Sequence, residues 1–102
     1  MNGSLLRFYM RANERHSGRP VSWWLLTQAR KIGLPGGSAF LAMAGFGRHR
    51  ELHLPRACAF SNTQTVEVEF LVTDKEADQL LTWANQEHIR LMYARIPIRF
   101  GC

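Results

Sequence analysis

With 102 residues, 46% hydrophobic and 21% charged, the chain has material for one core and one domain spanning residues 1–102, and too little for a cofactor domain plus a substrate domain. The apolar fraction excludes a wholly disordered chain, and no apolar run approaches the roughly 18 residues of a membrane-spanning helix. The net charge of +5 is unevenly spread, with nine Lys/Arg against two acids up to Cys58 and four against six after it, which favours an anionic partner for the first half.

Met1-Asn2-Gly3-Ser4 lacks the basic-then-apolar order of an export signal, so a cytoplasmic protein is expected. Residues 5–12 alternate, with Leu6, Phe8 and Met10 against Arg7, Tyr9 and Arg11, the period of two of a strand with one core face. A polar loop at 13–19 leads to Pro20. From there Val21, Trp24, Leu25, Gln28 and Ile32 fall at helical spacing up to Gly33, which predicts a helix over 20–32. Residues 38–45 are apolar on both sides and predict a central strand buried on both faces. Residues 46–63 show no sustained period and read as a long functional loop.

Residues 65–72 alternate again, with Val66, Val68, Phe70 and Val72 against Glu67 and Glu69. Thr73 and Glu76 have the spacing of a capping box, opening a helix through Glu87 along Ala77, Leu80, Leu81 and Ala84. A last strand over 90–100 sets Met92, Ala94, Ile96, Ile98 and Phe100 against Tyr93, Arg95, Pro97 and Arg99, and Pro97 suits a sheet edge. The order strand, helix, strand, strand, helix, strand predicts a ferredoxin-like α+β sandwich: a four-stranded antiparallel sheet with both helices on one face. The other face is then bare, and an oligomer is the simplest cover for it.

The most pointed local feature is Gly45-Phe46-Gly47-Arg48-His49-Arg50. Its glycines let a ligand approach the backbone, the Phe can stack, and Arg48 and Arg50 offer forks to phosphate or carboxylate. Three other readings compete with an anion site. His49 and His53 with Cys58 or Cys102 could hold a metal, although four-residue spacing suits a helix better than a loop, and Cys58 and Cys102 form no CxxC pair and read as reduced thiols. An RNA-binding ferredoxin-like domain would need an aromatic motif on the third strand, where Glu67 and Glu69 stand instead, so no nucleic acid is expected. An enzyme would need a catalytic signature, and none is present. Asp74, Glu76 and Asp78 read as helix capping, His16 and His88 as exposed or loop-fixing, and Trp23, Trp24 and Trp83 as packing and subunit contact.

In this context the sequence resembles the PII-like signalling proteins. Gly37-Ser38-Ala39-Phe40-Leu41-Ala42-Met43-Ala44-Gly45-Phe46-Gly47-Arg48 is similar to the family's second strand as it enters the mobile T-loop. Leu6-Arg7-Phe8-Tyr9, His16-Ser17-Gly18-Arg19-Pro20, Ala29-Arg30-Lys31-Ile32-Gly33-Leu34-Pro35-Gly36-Gly37 and Gly45-Phe46-Gly47 with His53 resemble the branch called domain of unknown function 190. The resemblance implies a homotrimer with a T-loop-like segment at about 47–63. It also implies inter-subunit clefts that take a small anionic ligand, such as an adenine nucleotide, beside Gly37, Gly45, Phe46, Gly47, Arg48, His49 and Arg50. The loop would signal to a protein partner such as a membrane transporter or channel. Two departures stand out: His49 replaces the usual Gln, and Asn85-Gln86-Glu87-His88-Ile89-Arg90 has none of the glycines of the family's phosphate-cradling loop, leaving Arg90, Arg95 or Arg99 to supply charge.

Overall fold

The computed structural model describes residues 1–46, 52–53 and 64–102. In chain order come β1 (Asn2–Arg11), a short hairpin of β2 (Arg15–His16) and β3 (Arg19–Pro20), α1 (Val21–Lys31) and β4 (Ser38–Leu41). They are followed by β5 (Gly45–Phe46), β6 (Leu52–His53), β7 (Thr65–Val72), α2 (Asp74–Gln86) and β8 (Met92–Arg99). Among the described residues the main sheet has four strands in the order β4-β7-β1-β8, and every neighbouring pair is antiparallel. This is the ferredoxin-like α+β arrangement that the sequence predicts.

One face of the sheet carries the core. Leu6, Phe8 and Met10 of β1 and Val68, Phe70 and Val72 of β7 meet Val21, Leu25 and Ala29 of α1 and Ala77 and Leu80 of α2 in one buried cluster. Phe8 and Phe70 pack edge to face with ring centroids 6.3 Å apart. Complete burial of a side chain such as Leu25 or Leu80 contributes about 1.5–3 kcal/mol.

Local signals set the helix ends. Thr73 Oγ1 accepts from the Glu76 amide while Glu76 Oε1 accepts from the Thr73 amide, the reciprocal capping box read from the sequence. At the C-terminus of α1, Gly33 takes φ 87°, and the Leu34 amide donates back to the Ala29 carbonyl. The start of α1 lies one residue later than its periodicity predicts. Pro20 is extended because it pairs with Arg15 across the hairpin, whose tip residues Ser17 and Gly18 have φ of 51° and 78°, a left-handed pair suited to a two-residue turn.

Two expectations are corrected. The second strand is an edge strand, not a central one, since among the described residues β4 pairs only with β7, and all four of its residues are exposed. It is also shorter than the apolar run suggests: after Leu41 the chain leaves the sheet, and Gly45–Phe46 pair instead with Leu52–His53. The last strand occupies the other edge, where Pro97 costs no ladder bond. Register decides which side of β8 faces the helices. Phe8 lies opposite Tyr93 and Leu6 opposite Arg95, so the apolar set Met92, Ala94, Ile96 and Ile98 faces away from the core.

Leu80→Ala should lower the unfolding free energy by about 2–5 kcal/mol, the cost of an unfilled core site, and Thr73→Ala by about 0.5–2 kcal/mol for the lost cap. Chemical denaturation of the purified variants measures both.

Candidate functional site

The sheet has two unlike ends. At one, the end of β1, the exit of β4 and the start of β7 are tied together: the Ala12 amide donates to the Gln64 carbonyl at 2.9 Å, and the Ala42 amide to the Thr65 carbonyl at 2.8 Å. Gly45 and Phe46 leave from this end as half of a two-stranded ribbon. Gly45 has open space where a Cβ would stand, and the Phe46 ring is 73% exposed. Gly47, Arg48, His49 and Arg50 lie outside the described residues, as does the expected loop at 47–63 apart from Leu52 and His53. The metal reading on His49 and Cys58 falls outside them for the same reason.

Gly37 is not brought to this group. It precedes β4 at the opposite end of the strand, where a Cβ would come within 2.7 Å of Phe70 Cδ1 and 3.1 Å of Leu26 Cδ2. Its lack of a side chain is accounted for by packing against a buried ring. That end also holds a cavity of about 680 Å³, lined among others by Gly37, Phe40, Leu71, Phe100 and Cys102.

The turn between α2 and β8 shares the end from which Gly45 and Phe46 depart. Its amides are committed to closing the helix: Glu87 donates to the Trp83 carbonyl, His88 to Asn85 and Ile89 to Ala84. The geometry repeats that at the end of α1, with His88 at φ 58° in the place taken there by Gly33. Three consecutive amides that could cradle a phosphate are therefore spent on the helix terminus. Of the arginines considered for charge, Arg95 is also committed. It donates from Nη1 to Asp78 Oδ1 at 2.7 Å and from Nε to Ser4 Oγ at 3.2 Å, while the buried Ser4 hydroxyl donates to Asp74 Oδ1 at 2.7 Å. The hydrogen bond to Asp78 holds the Arg95 guanidinium above its ordinary pKa. Sequence reasoning assigned Asp74 and Asp78 to the helix dipole; they also anchor β8 to α2, a contact that no local pattern announces.

Beside the same turn stands the hairpin of β2 and β3. His16 Nε2 lies 3.8 Å from Glu87 Oε2 and meets the Trp24 ring edge to face at 5.4 Å, so it fixes the loop, one of the two roles its sequence context allowed. Trp24 also packs edge to face on Trp23, over which the Arg19 guanidinium sits 5.1 Å from the ring centroid. Trp83 packs on the core.

Among the described residues, none covers the face of the sheet away from the helices. Phe40, Leu71, Met92 and Ile96 on it are between 41% and 67% exposed. Across its centre Arg7 Nε donates to Glu69 Oε1 at 2.7 Å. Hydrogen bonding to Tyr9 and then to Glu69 raises the Arg7 pKa above its ordinary value. Glu67 stands on the same face opposite Tyr9, and these carboxylates oppose a nucleic-acid backbone laid across it.

A model of the family DUF190, described as uncharacterized ACR, matches residues 3–90. The chain is 27% identical over 84 residues to a UPF0166 protein of Aquifex aeolicus (strain VF5), covering 82% of this chain and 80% of that protein. Among solved structures it is similar to one from Thermus thermophilus provisionally described as a PII-like signalling protein. The TM-score is 0.67 at 12% identity, over 95% of this chain and 87% of the other, a likeness that bears on the fold alone.

Gly37→Ala should destabilise the fold by about 1–3 kcal/mol through overpacking against Phe70. His88→Gly should stabilise it by about 0.5–1 kcal/mol by relieving the left-handed backbone. Thermal or chemical unfolding reads both.

Proposed function

The chain belongs to the DUF190 family, and from that premise and its fold we propose that it is a PII-like regulatory protein. In this reading it is a homotrimer that binds a small anionic ligand in its inter-subunit clefts and signals through the loop at about 47–63. The observation that carries this reading is the uncovered apolar sheet face, which ends beside the departure point of Gly45 and Phe46.

Apolar side chains stand at both edges of that face, Phe40 on β4 and Met92 and Ile96 on β8, and the two edges differ in sequence. A contact of one edge with the unlike edge of the next copy is heterologous, and such contacts form a ring where the rotation between copies closes and an open filament where it does not. A ring of three would bring the loop base of each subunit against a neighbour. There Gly45, Phe46, Gly47, Arg48, His49 and Arg50 would form the ligand's surroundings, with guanidinium forks meeting its negative charge. Gly37 belongs to the framework of the same strand.

The α2–β8 turn supports a particular form of this reading. With its amides spent on the helix end, recognition of the anion falls to the side chains of the loop base. An adenine nucleotide remains the leading ligand class, with bicarbonate and other small anions beside it. Ligand-dependent ordering of the loop would engage or release a protein partner, a membrane transporter or channel in the reading favoured here. The protein acts by binding rather than by catalysis.

The test is a thermal-shift screen against ATP, ADP, AMP, cyclic nucleotides, bicarbonate and divalent metals, with the mass in solution measured on the same sample. A mass near three times the chain's 11.7 kDa, with a melting temperature that rises with the concentration of one anion, supports the proposal. A monomer, or a response to metals alone, overturns it. Arg48→Ala should weaken binding of the anion so found by about 1.5–3 kcal/mol, roughly 10- to 150-fold. Leu71→Glu together with Ile96→Glu should yield monomers by sedimentation, because each carboxylate would be buried unpaired.

A further inference from the structure

From Arg15 to Gly36 the sequence holds Arg15, Arg19, Arg30 and Lys31 and no acid. α1 lies within this stretch, and its apolar side is spent on the core, where Val21, Leu25 and Ala29 are buried. The same period sets the opposite side of the helix: Trp23, Thr27 and Arg30 fall four and three residues apart, with Lys31 beside Arg30. Trp23 is 43% exposed, and Arg30 and Lys31 are exposed with it. Over the Trp23 ring the β2–β3 hairpin places the Arg19 guanidinium, 5.1 Å from the centroid.

The domain does not use this positive charge internally. Among the described residues the ion pairs join Arg7 to Glu69, His16 to Glu87 and Arg95 to Asp74 and Asp78, and none reaches Arg19, Arg30 or Lys31. Arg30 and Lys31 stand in the last turn of α1, where they offset the negative end of its dipole. The dipole accounts for neither Trp23 nor Arg19. α2, the other helix of the layer, carries Asp74, Glu76 and Asp78 against Lys75, so the positive field belongs to the α1 half alone. Trp and Arg are the residues in which binding energy between proteins is most often concentrated.

We propose that the outer face of α1 docks an acidic segment of a protein partner, with an apolar side chain of that segment on Trp23 and its carboxylates on Arg19 and on Arg30 with Lys31. Seven residues of helix place Arg30 about 10.5 Å along the axis from Trp23, the spacing of carboxylates at i and i+7 on a partner helix laid along α1. Each guanidinium presents a planar fork that meets a carboxylate with two hydrogen bonds. A lipid surface fits less well, because a helix lying in a bilayer needs a free apolar face and that of α1 is committed to the core. The site lies on the helix layer and owes nothing to the bare sheet face, so it stands or falls apart from the trimer and its anion.

The experiment measures, by fluorescence anisotropy at low salt, binding of the full chain to a labelled helical peptide with Glu at seven-residue spacing and Leu between, and to its counterpart with Gln for each Glu. The Glu peptide should bind and the Gln peptide should not. Arg30→Gln with Lys31→Gln, and separately Trp23→Ala, should each weaken binding about fivefold or more, whereas Lys75→Gln with Arg99→Gln, which removes the same charge elsewhere on the surface, should change it by less than about twofold. Arg30 and Lys31 are exposed, so their double variant should melt with the parent; if Trp23→Ala unfolds, that variant and the Gln peptide decide. The site is overturned by a control that loses as much as Arg30→Gln with Lys31→Gln, by no binding of the Glu peptide, or by full affinity in a folded Trp23→Ala. It is overturned equally by tighter binding to phosphatidylserine vesicles or to oligouridylate that the same substitutions abolish.

Discussion

Two helices of 11 and 13 residues can cover one face of a four-stranded sheet and no more, and this one-sidedness governs the rest of the molecule. The core is the layer between that face and the helices, built on Leu6, Phe8, Val68 and Phe70 from the two central strands. Among the described residues, the other face carries no such cover. Apolar area exposed in that way is a standing free-energy reservoir of about 25 cal/mol per Å² for any surface that removes it from water. The Arg7–Glu69 pair across the middle of the face makes cover by another protein surface more selective, since a partner must leave both charges satisfied.

The two ends of the sheet divide the remaining work. One is occupied by packing: Gly37 yields its side-chain volume to Phe70, and Arg95 ties the edge strand to the first two turns of α2, directly at Asp78 and through the Ser4 hydroxyl at Asp74. The other gathers chain segments with few anchors, namely the hairpin, the α2–β8 turn and the departing Gly45–Phe46 ribbon. Local opening is cheapest where buried apolar contacts are fewest, so movement at this end costs the core little. The turn shows how one backbone solution removes another. Closing α2 within two residues of its last turn consumes the amides that a longer, glycine-bearing loop would have turned toward an anion.

Several of these features were legible before any coordinate. The alternation of 65–72 and the Thr73/Glu76 pair placed β7 and the start of α2 correctly, because both rest on contacts within a few residues. Gly33 marked the end of α1 for the same reason. The end of α2 was harder to read, since His88 in the left-handed conformation carries no glycine signal. The apolar stretch at 38–45 misled: hydrophobicity on both sides of a strand was read as burial within the chain, whereas β4 is an edge strand exposed on both sides. Of the candidate site, the sequence placed Gly45 and Phe46 at the foot of a loop and Gly37 at the opening of the same strand, but gave no sign that Gly37 packs against Phe70.

By itself, then, the sequence determined the types of the four main strands and two helices, most of their ends, the ferredoxin-like order and the family, because periodicity, capping and turn chemistry are local and the family's motifs are contiguous; the β2–β3 hairpin, read as a polar loop, and the β5–β6 ribbon were missed. Only the tertiary structure decided which face of β8 meets the helices. Alternation defines two faces without saying which is inward, and the register of Phe8 on Tyr93 and Leu6 on Arg95 turned the apolar one out. It also decided which charges meet. Arg7 with Glu69, Arg95 with Asp78 and His16 with Glu87 join residues far apart in the chain, and distance in space between such groups is set by packing, which no local pattern encodes.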